Sequence, residues 1–333
     1  MCRDKLLQNH RERNGCLSMT LSALGIFSAA GAGGVPQFGI GAGYTVGGLI
    51  QPFDYITTVD KFNLTNDTRS TLGTGLPVSN ALQGCVSDVS KGFVARGLRQ
   101  FYRNQVYKFT FSTDTFILLV PTYAGERHFM AGAASTTKGY FMGGSDNAGN
   151  QYSGVDTIDL AAETLSSLGT GLSSARGGGV GLQSSSSAYA AGGETANDSA
   201  PVSTVDKFAF SNDARTTLGT GLNTAADYGG SISSSSAGYI FGGFSTRTAQ
   251  TNIIQKITFA TDSPSTISAT LSVAKDGAAG FGNAIAGYAA GGNPSGTYTS
   301  TVEKLIFSVE TMSTLATGLS GARHLAGFLS NKG

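Results

Sequence analysis

The residues able to do chemistry in this 333-residue chain are few, and most recur at a fixed interval. Arg127, Arg176, Lys275 and Arg323 stand at matching places in successive copies of one pattern, with Asn80 and Ala226 at that place in two others. Four cations among six positions, in a chain only 13% charged, would suit carboxylate or phosphate groups if they faced one opening. The alternative is that they bond loop carbonyls and hold neighbouring copies together. His128 and His324 each follow one of these arginines, so repeat equivalence accounts for them, and with His10 they make no metal cluster. Cys2, Cys16 and Cys85 show neither a disulfide framework nor a metal-binding spacing. Asp60, Asp156, Asp206 and Glu303 also share one repeat position, which leaves the paired carboxylates of glycoside hydrolysis unsupported. No Gly-x-Ser-x-Gly elbow joins a strand to a helix. The expectation is a non-enzyme, with no catalytic residue, no metal and no cofactor.

The elements that position these residues come from the repeat itself. An aromatic precedes a glycine pair at Tyr44, Tyr140, Tyr189, Tyr239 and Tyr288, and Phe93 stands in the same place. In chain order the six are spaced 49, 47, 49, 50 and 49 residues apart, a period that marks a repeat architecture. A second anchor keeps step at Val59, Val106, Val155, Val205, Ile254 and Val302. No repeat shows the sustained spacing of an amphipathic helix.

Each copy reads as four short strands. In the third these are 140–144, 155–160, 166–172 and 178–182, the last followed by a serine-rich turn. Short polar pairs, Asn66-Asp67 and Asn212-Asp213, supply turn chemistry. Four strands per unit at regular spacing predict an all-β propeller of six blades around a central channel. The glycine pair predicts a tight bend or close backbone approach, since a polar loop and another strand follow it where a phosphate cradle would need a helix. The C-terminal stretch SGARHLAGFLSNKG is one strand more than the copies need, and it is expected to close the ring against the blade of Tyr44. Val35–Ile40 is the competing filler. Closure would remove exposed sheet edges.

These residues resemble the kelch repeat: an apolar strand ending in Gly-Gly (Gly242-Gly243), a Val-Glu-like strand (Val302-Glu303), a turn, and a step to Ala-Arg (Ala175-Arg176, Ala322-Arg323). The resemblance covers about residues 41 to 329. It departs in having no Trp, with LGTGL at 72–76, 168–172 and 218–222 in the usual place. The variant with GYxxGG, TVDKF and SNDxRTTLGTGL looks like the kelch-like proteins of bacteriophage virions. The resemblance places the Ala-Arg step in loops at one channel mouth, so that Asn80, Arg127, Arg176, Lys275 and Arg323 would form a binding ring there. It also implies a virion structural protein of a tail fibre, neck or surface decoration, present in several copies and able to touch host-surface glycan.

Residues 1–40 lie outside the repeat and read as an anchoring arm for other virion proteins, with 41–333 as the propeller. The stretch from Asn14 to Phe53 carries no charge. Met19 is an alternative start, and a cleaved secretory signal is the alternative that would make the protein a secreted or surface adhesin. Gly31, Gly33, Gly34 and Pro36 argue against a membrane span. A formal net charge of +1 gives no reason to expect nucleic acid. The second copy departs most: Arg96 replaces a glycine of the pair, Arg99 and Arg103 follow, and TFILLVP replaces LGTGL. That copy is either drifted, with FILLV buried, or turned toward a partner.

Overall fold

The computed structural model describes residues 41–331 apart from 96, 99–103, 120–122 and 124, and all of them fall in one unit, Gly34–Gly333. The arm expected over residues 1–40 and the partner-facing Arg96, Arg99 and Arg103 lie outside the described residues. Six four-stranded antiparallel sheets carry the chain, each with its strands in the order a-b-c-d from the axis outward. The first blade pairs Gly327–Ser330, Ala42–Val46, Val59–Asn63 and Thr68–Thr71. The second pairs Gly84–Ser87, Lys91–Ala95, Val106–Thr110 and Thr115–Leu118. The third, of Ala131–Ala134, Lys138–Met142, Val155–Asp159 and Leu165–Ser167, sets the pattern for the fourth to sixth, whose a strands are Val180–Gln183, Gly230–Ser233 and Ala279–Gly282. The a strands neighbour one another in a closed circle. The propeller is therefore six-bladed and all-β, and the C-terminal strand closes it, with Gly43 opposite Ser330 and Val46 opposite Gly327.

Two details differ from the sequence reading. The last strand of each sequence copy belongs to the next blade: Val180–Gln183 pairs with Ser187–Ala191. The strand expected over 166–172 stops at Ser167, because Leu168 and Leu172 turn inward while Gly169 and Thr170 face solvent. Backbone bonds from Leu168 N to Val155 O and from Leu172 N to Ser153 O hold that detour down.

The apolar cores lie between blades. Tyr140, Met142, Val155 and Leu172 of the third blade pack on Ala188, Ala190 and Phe208 of the fourth, and five equivalent clusters complete the circle. Alternation along each short strand puts one side of every sheet against each neighbour. Four repeat tyrosines stack on a phenylalanine of the following blade, as in Tyr189–Phe259 at 5.2 Å between centroids.

A polar belt runs around the same interfaces. The turn between strands c and d of each blade carries a carboxylate at positive φ: Asp67, Asp114, Glu163, Asp213, Asp262 and Glu310. In five interfaces it accepts the hydroxyl of the repeat tyrosine and a lysine from the preceding blade, as where Asp262 takes Tyr189 Oη at 2.8 Å and Lys207 Nζ at 2.7 Å. The sixth shows compensation. Phe93 has no hydroxyl, and Glu163 is held by two lysines, Lys91 and Lys108. Burial and the adjacent carboxylate push the tyrosine hydroxyls well above their ordinary acidity range, so they remain donors.

Asp262→Asn keeps a residue that tolerates positive φ but removes the charge from one joint. The expected loss is about 1–2 kcal/mol, discounted because the pair is partly exposed, read from the urea midpoint. Deleting residues 327–333 leaves Ala42–Val46 as an open edge. That variant is expected to bind hydrophobic dyes and self-associate in light scattering, and an unchanged monomer would show closure to be dispensable.

Candidate functional site

The residue that joins each d strand to the next a strand sits at a blade junction. Its carbonyl accepts the N–H of the second glycine of the preceding blade: Gly48 to Asn80, Gly97 to Arg127, Gly144 to Arg176, Gly193 to Ala226, Gly243 to Lys275 and Gly292 to Arg323. The preceding glycine bends at positive φ, with Gly143 at +68° and Gly192 at +69°. A Cβ on either would run into the connector's carbonyl oxygen, of Arg176 or Ala226. The glycine pair thus makes a close backbone approach, as expected.

The side chains at this position do not form the expected ring of free cations. Arg127, Arg176, Lys275 and Arg323 are all buried, and each is paired with the carboxylate on strand c of the blade it enters: Asp156, Asp206, Glu303 and Asp60. Arg176 donates to Asp206 Oδ2 at 2.9 Å and to Ala190 O at 3.0 Å. Asp206 also accepts Ser173 N, Ser173 Oγ and Thr217 Oγ1, so its oxygens are filled. Burial pushes the Arg176 and Arg323 guanidinium groups downward and their carboxylate partners oppose it. Burial raises Asp206, but the bonds from Thr217, Ser173 and Arg176 outweigh it and hold the carboxyl below its usual range. Lys275 Nζ lies 2.7 Å from Glu303 Oε2, close enough to pair but off the line of a hydrogen bond.

The two blades without a cation lack the anion as well. Ala226 enters a blade that has Gln255 at the acidic place, and Asn80 enters one that has Tyr107. An uncompensated charge in such a site would be costly, so charge is present or absent as a pair. These positions are buried joints between blades, and each cation is turned to its own carboxylate and away from any outside anion.

The channel mouth is instead rimmed by a circle of backbone bonds. Phe129 N bonds Leu82 O, Gly178 N bonds Phe129 O, Tyr228 N bonds Gly178 O, Gly277 N bonds Tyr228 O, Leu325 N bonds Gly277 O and Leu82 N bonds Leu325 O. All six residues have positive φ, and the bonds run from 2.6 to 3.1 Å. Inside, the axis leaves cavities of about 90 and 50 Å³, both bordered by Phe328. That is far below the roughly 300–1,000 Å³ of ligand pockets. A cleft of about 520 Å³ elsewhere is bordered by Lys91, Lys108 and Glu163, but both lysines are bonded to Glu163.

Beside the mouth stands a group the sequence reading missed. Asp227 and Asp276 occupy the place of His128 and His324 in the fifth and sixth blades, and Glu194 accepts Tyr228 Oη at 2.6 Å. His324 Nε2 lies 2.7 Å from Asp276 Oδ2. The signal was an acid following the connector residue in two consecutive copies, Ala226-Asp227 and Lys275-Asp276. No group of three or more His, Cys, Asp or Glu among the described residues is arranged to hold a metal.

The remaining candidate surface is the face with the b–c loops. Five a–b turns have three residues each, and the c–d turns have four or five. Beyond the glycine pair that opens five of them, the b–c loops share little sequence and run from 10 to 13 residues. The first forms a finger, Leu49–Ile50 paired with Asp54–Tyr55, whose Phe53 is 78% exposed. Gln51 Nε2 ties it to Gly296 O of the sixth blade at 2.7 Å. In the second blade, Ile117 and Leu118 of the outer strand are exposed while Phe116 and Leu119 pack inward, so the apolar run divides between the two expectations.

Arg176→Ala is expected to cost about 3–5 kcal/mol by stranding Asp206. Arg176→Ala with Asp206→Gln copies the Ala226 and Gln255 pair of the fifth blade and should recover most of that loss in a urea double-mutant cycle. Additive effects would show that the pair is not coupled.

No protein-family model matches this chain, and no curated protein matches it. Among solved structures it is similar to one described as the structure of YjhT, with a TM-score of 0.66 and 11% sequence identity. The match covers 84% of this chain and 99% of that one. At this identity the likeness is one of fold.

Proposed function

We propose that this chain is a non-enzymatic, kelch-like propeller of a phage particle, set in a tail fibre, neck or surface decoration. It holds other virion proteins and presents its b–c loop face to a partner or to host-surface glycan. The observation that carries the docking part of this reading is the contrast within one chain. Interfaces, turns and glycine bends repeat blade after blade, while the b–c loops diverge and carry Phe53 into solvent. Variable loops on a rigid scaffold are where binding residues concentrate. Low charge, cations paired at the joints and only small cavities along the axis favour a structural role over turnover. The virion part rests on the resemblance of the repeat variant to phage kelch-like proteins.

The test is to purify native particles, measure the copy number of this chain by mass spectrometry, and footprint the assembled and free protein with hydroxyl radicals. The expected result is several copies per particle, with Phe53 and the loop segments 143–154 and 194–204 protected on assembly. A free secreted species absent from particles would overturn the virion reading. Protection confined to the a–b turns would overturn the choice of face.

A further inference from the structure

Three carboxylates from adjoining blades converge beside the backbone circle at the channel mouth. Glu194 comes from the b–c loop of the fourth blade, Asp227 from the connector into the fifth and Asp276 from the connector into the sixth. Asp227 is 3% exposed, and its Oδ1 is buried with no hydrogen-bond partner. Neither Asp227 nor Glu194 is bonded to a lysine or arginine among the described residues. The groups that face Asp227 are Glu194 and Asp276, with Asp198 beside Glu194. Tyr228 is the next residue and gives its hydroxyl to Glu194. Asp276 is itself held by His324 Nε2 and by Gln250 Nε2. Backbone N–H groups of Phe244 and Asp227 draw this carboxyl down, but burial and the two like charges outweigh them, so the protonated form is favoured.

We propose that the channel mouth is a proton-controlled latch, closed while Asp227 is neutral and loosened when Asp227 ionises. The lever is short. Asp227 precedes Tyr228 and Asp276 precedes Gly277, so both acids adjoin members of the circle, and Glu194 holds the tyrosine ring of one of them. A third negative charge there favours any state in which the segment between Gly178 and Gly277 parts and water reaches Asp227. Burial, then Glu194 and Asp276, push the Asp227 carboxyl up from 3.8 to about 7. A carboxyl raised in the closed state and ordinary in the open state binds its proton more tightly when closed. The closed state is therefore favoured fully below about pH 4, loses ground as pH rises toward 7, and changes no further above it. The latch is a property of the fold and holds whether or not the loop face docks a partner.

The experiment is peptide-level hydrogen exchange on the full chain from pH 5 to 8, corrected for intrinsic base catalysis, in segments covering 177–180, 226–230 and 275–279. Wild-type protection should fall by up to tenfold per pH unit toward pH 7 and then level off. Asp227→Asn, neutral at every pH, should hold protection constant. Glu194→Gln removes one like charge and should move the fall to lower pH, a shift that keeps the test decisive if Asp227→Asn does not fold. Protection that ignores pH in wild type, or that falls equally in Asp227→Asn, overturns the latch.

Discussion

The ring depends on a carboxylate held at the tip of each c–d turn. That residue has positive φ, a conformation with few takers among side chains other than Gly, Asn and Asp. Its position places it against the preceding blade, where a tyrosine hydroxyl and a lysine converge on it. One side chain therefore fixes a turn within its own blade and the angle between two blades. Because the contact closes on itself from Tyr288 and Lys304 back to Asp67, no blade can tilt without breaking a joint on either side. The apolar clusters supply the bulk of the attraction between blades, but they are non-directional. Register around the circle comes from these polar contacts and from their deeper counterpart at the connector residue.

That deeper joint shows how the chain handles buried charge. Arg176 reaches Asp206 while its own carbonyl holds Gly144, so one residue ties the blade it leaves to the blade it enters. Where the cation is absent, the acid is absent too, as at Ala226 with Gln255. A lone arginine or lone aspartate at such depth would cost more than the pair returns. Two neutral joints in a ring of six are tolerated because backbone bonds from the glycine pair persist at every junction. The polar pairs look like a binding ring only when their partners are ignored.

The fold was legible because its determinants are local and repeated. Tyr44 and its five counterparts, the glycine pairs and the surplus strand at 327–330 carried architecture, blade number and closure. The site was less legible, since the meaning of Arg127 or Arg323 depends on what faces it. The acids at Asp60, Asp156, Asp206 and Glu303 were visible as a repeat position, as were the cations, and reading the two positions jointly across copies gives the pairing. The acidic group at Glu194, Asp227 and Asp276 could not be seen that way. Its members come from two different repeat positions in three blades and meet only once the circle is closed.

A propeller of this construction has few places left for function. Strands a to c are committed to neighbours on both sides, the axis keeps only small cavities inside the backbone circle, and the c–d turns are consumed by the belt. Change costs least at loop tips, where bonds are made locally. Asp146 shows how a loop tip is built: it accepts Ala148 N and Asn150 N and takes the Tyr152 hydroxyl, while the base of the loop stays tied to the connectors through Ser145 with His128 and Gly144 with Arg176. Tips built this way can diverge blade by blade while the loop bases keep their bonds to the ring. The physical demands of closure thus leave most of the chemical variety to the b–c loops, which is where the proposed docking surface lies.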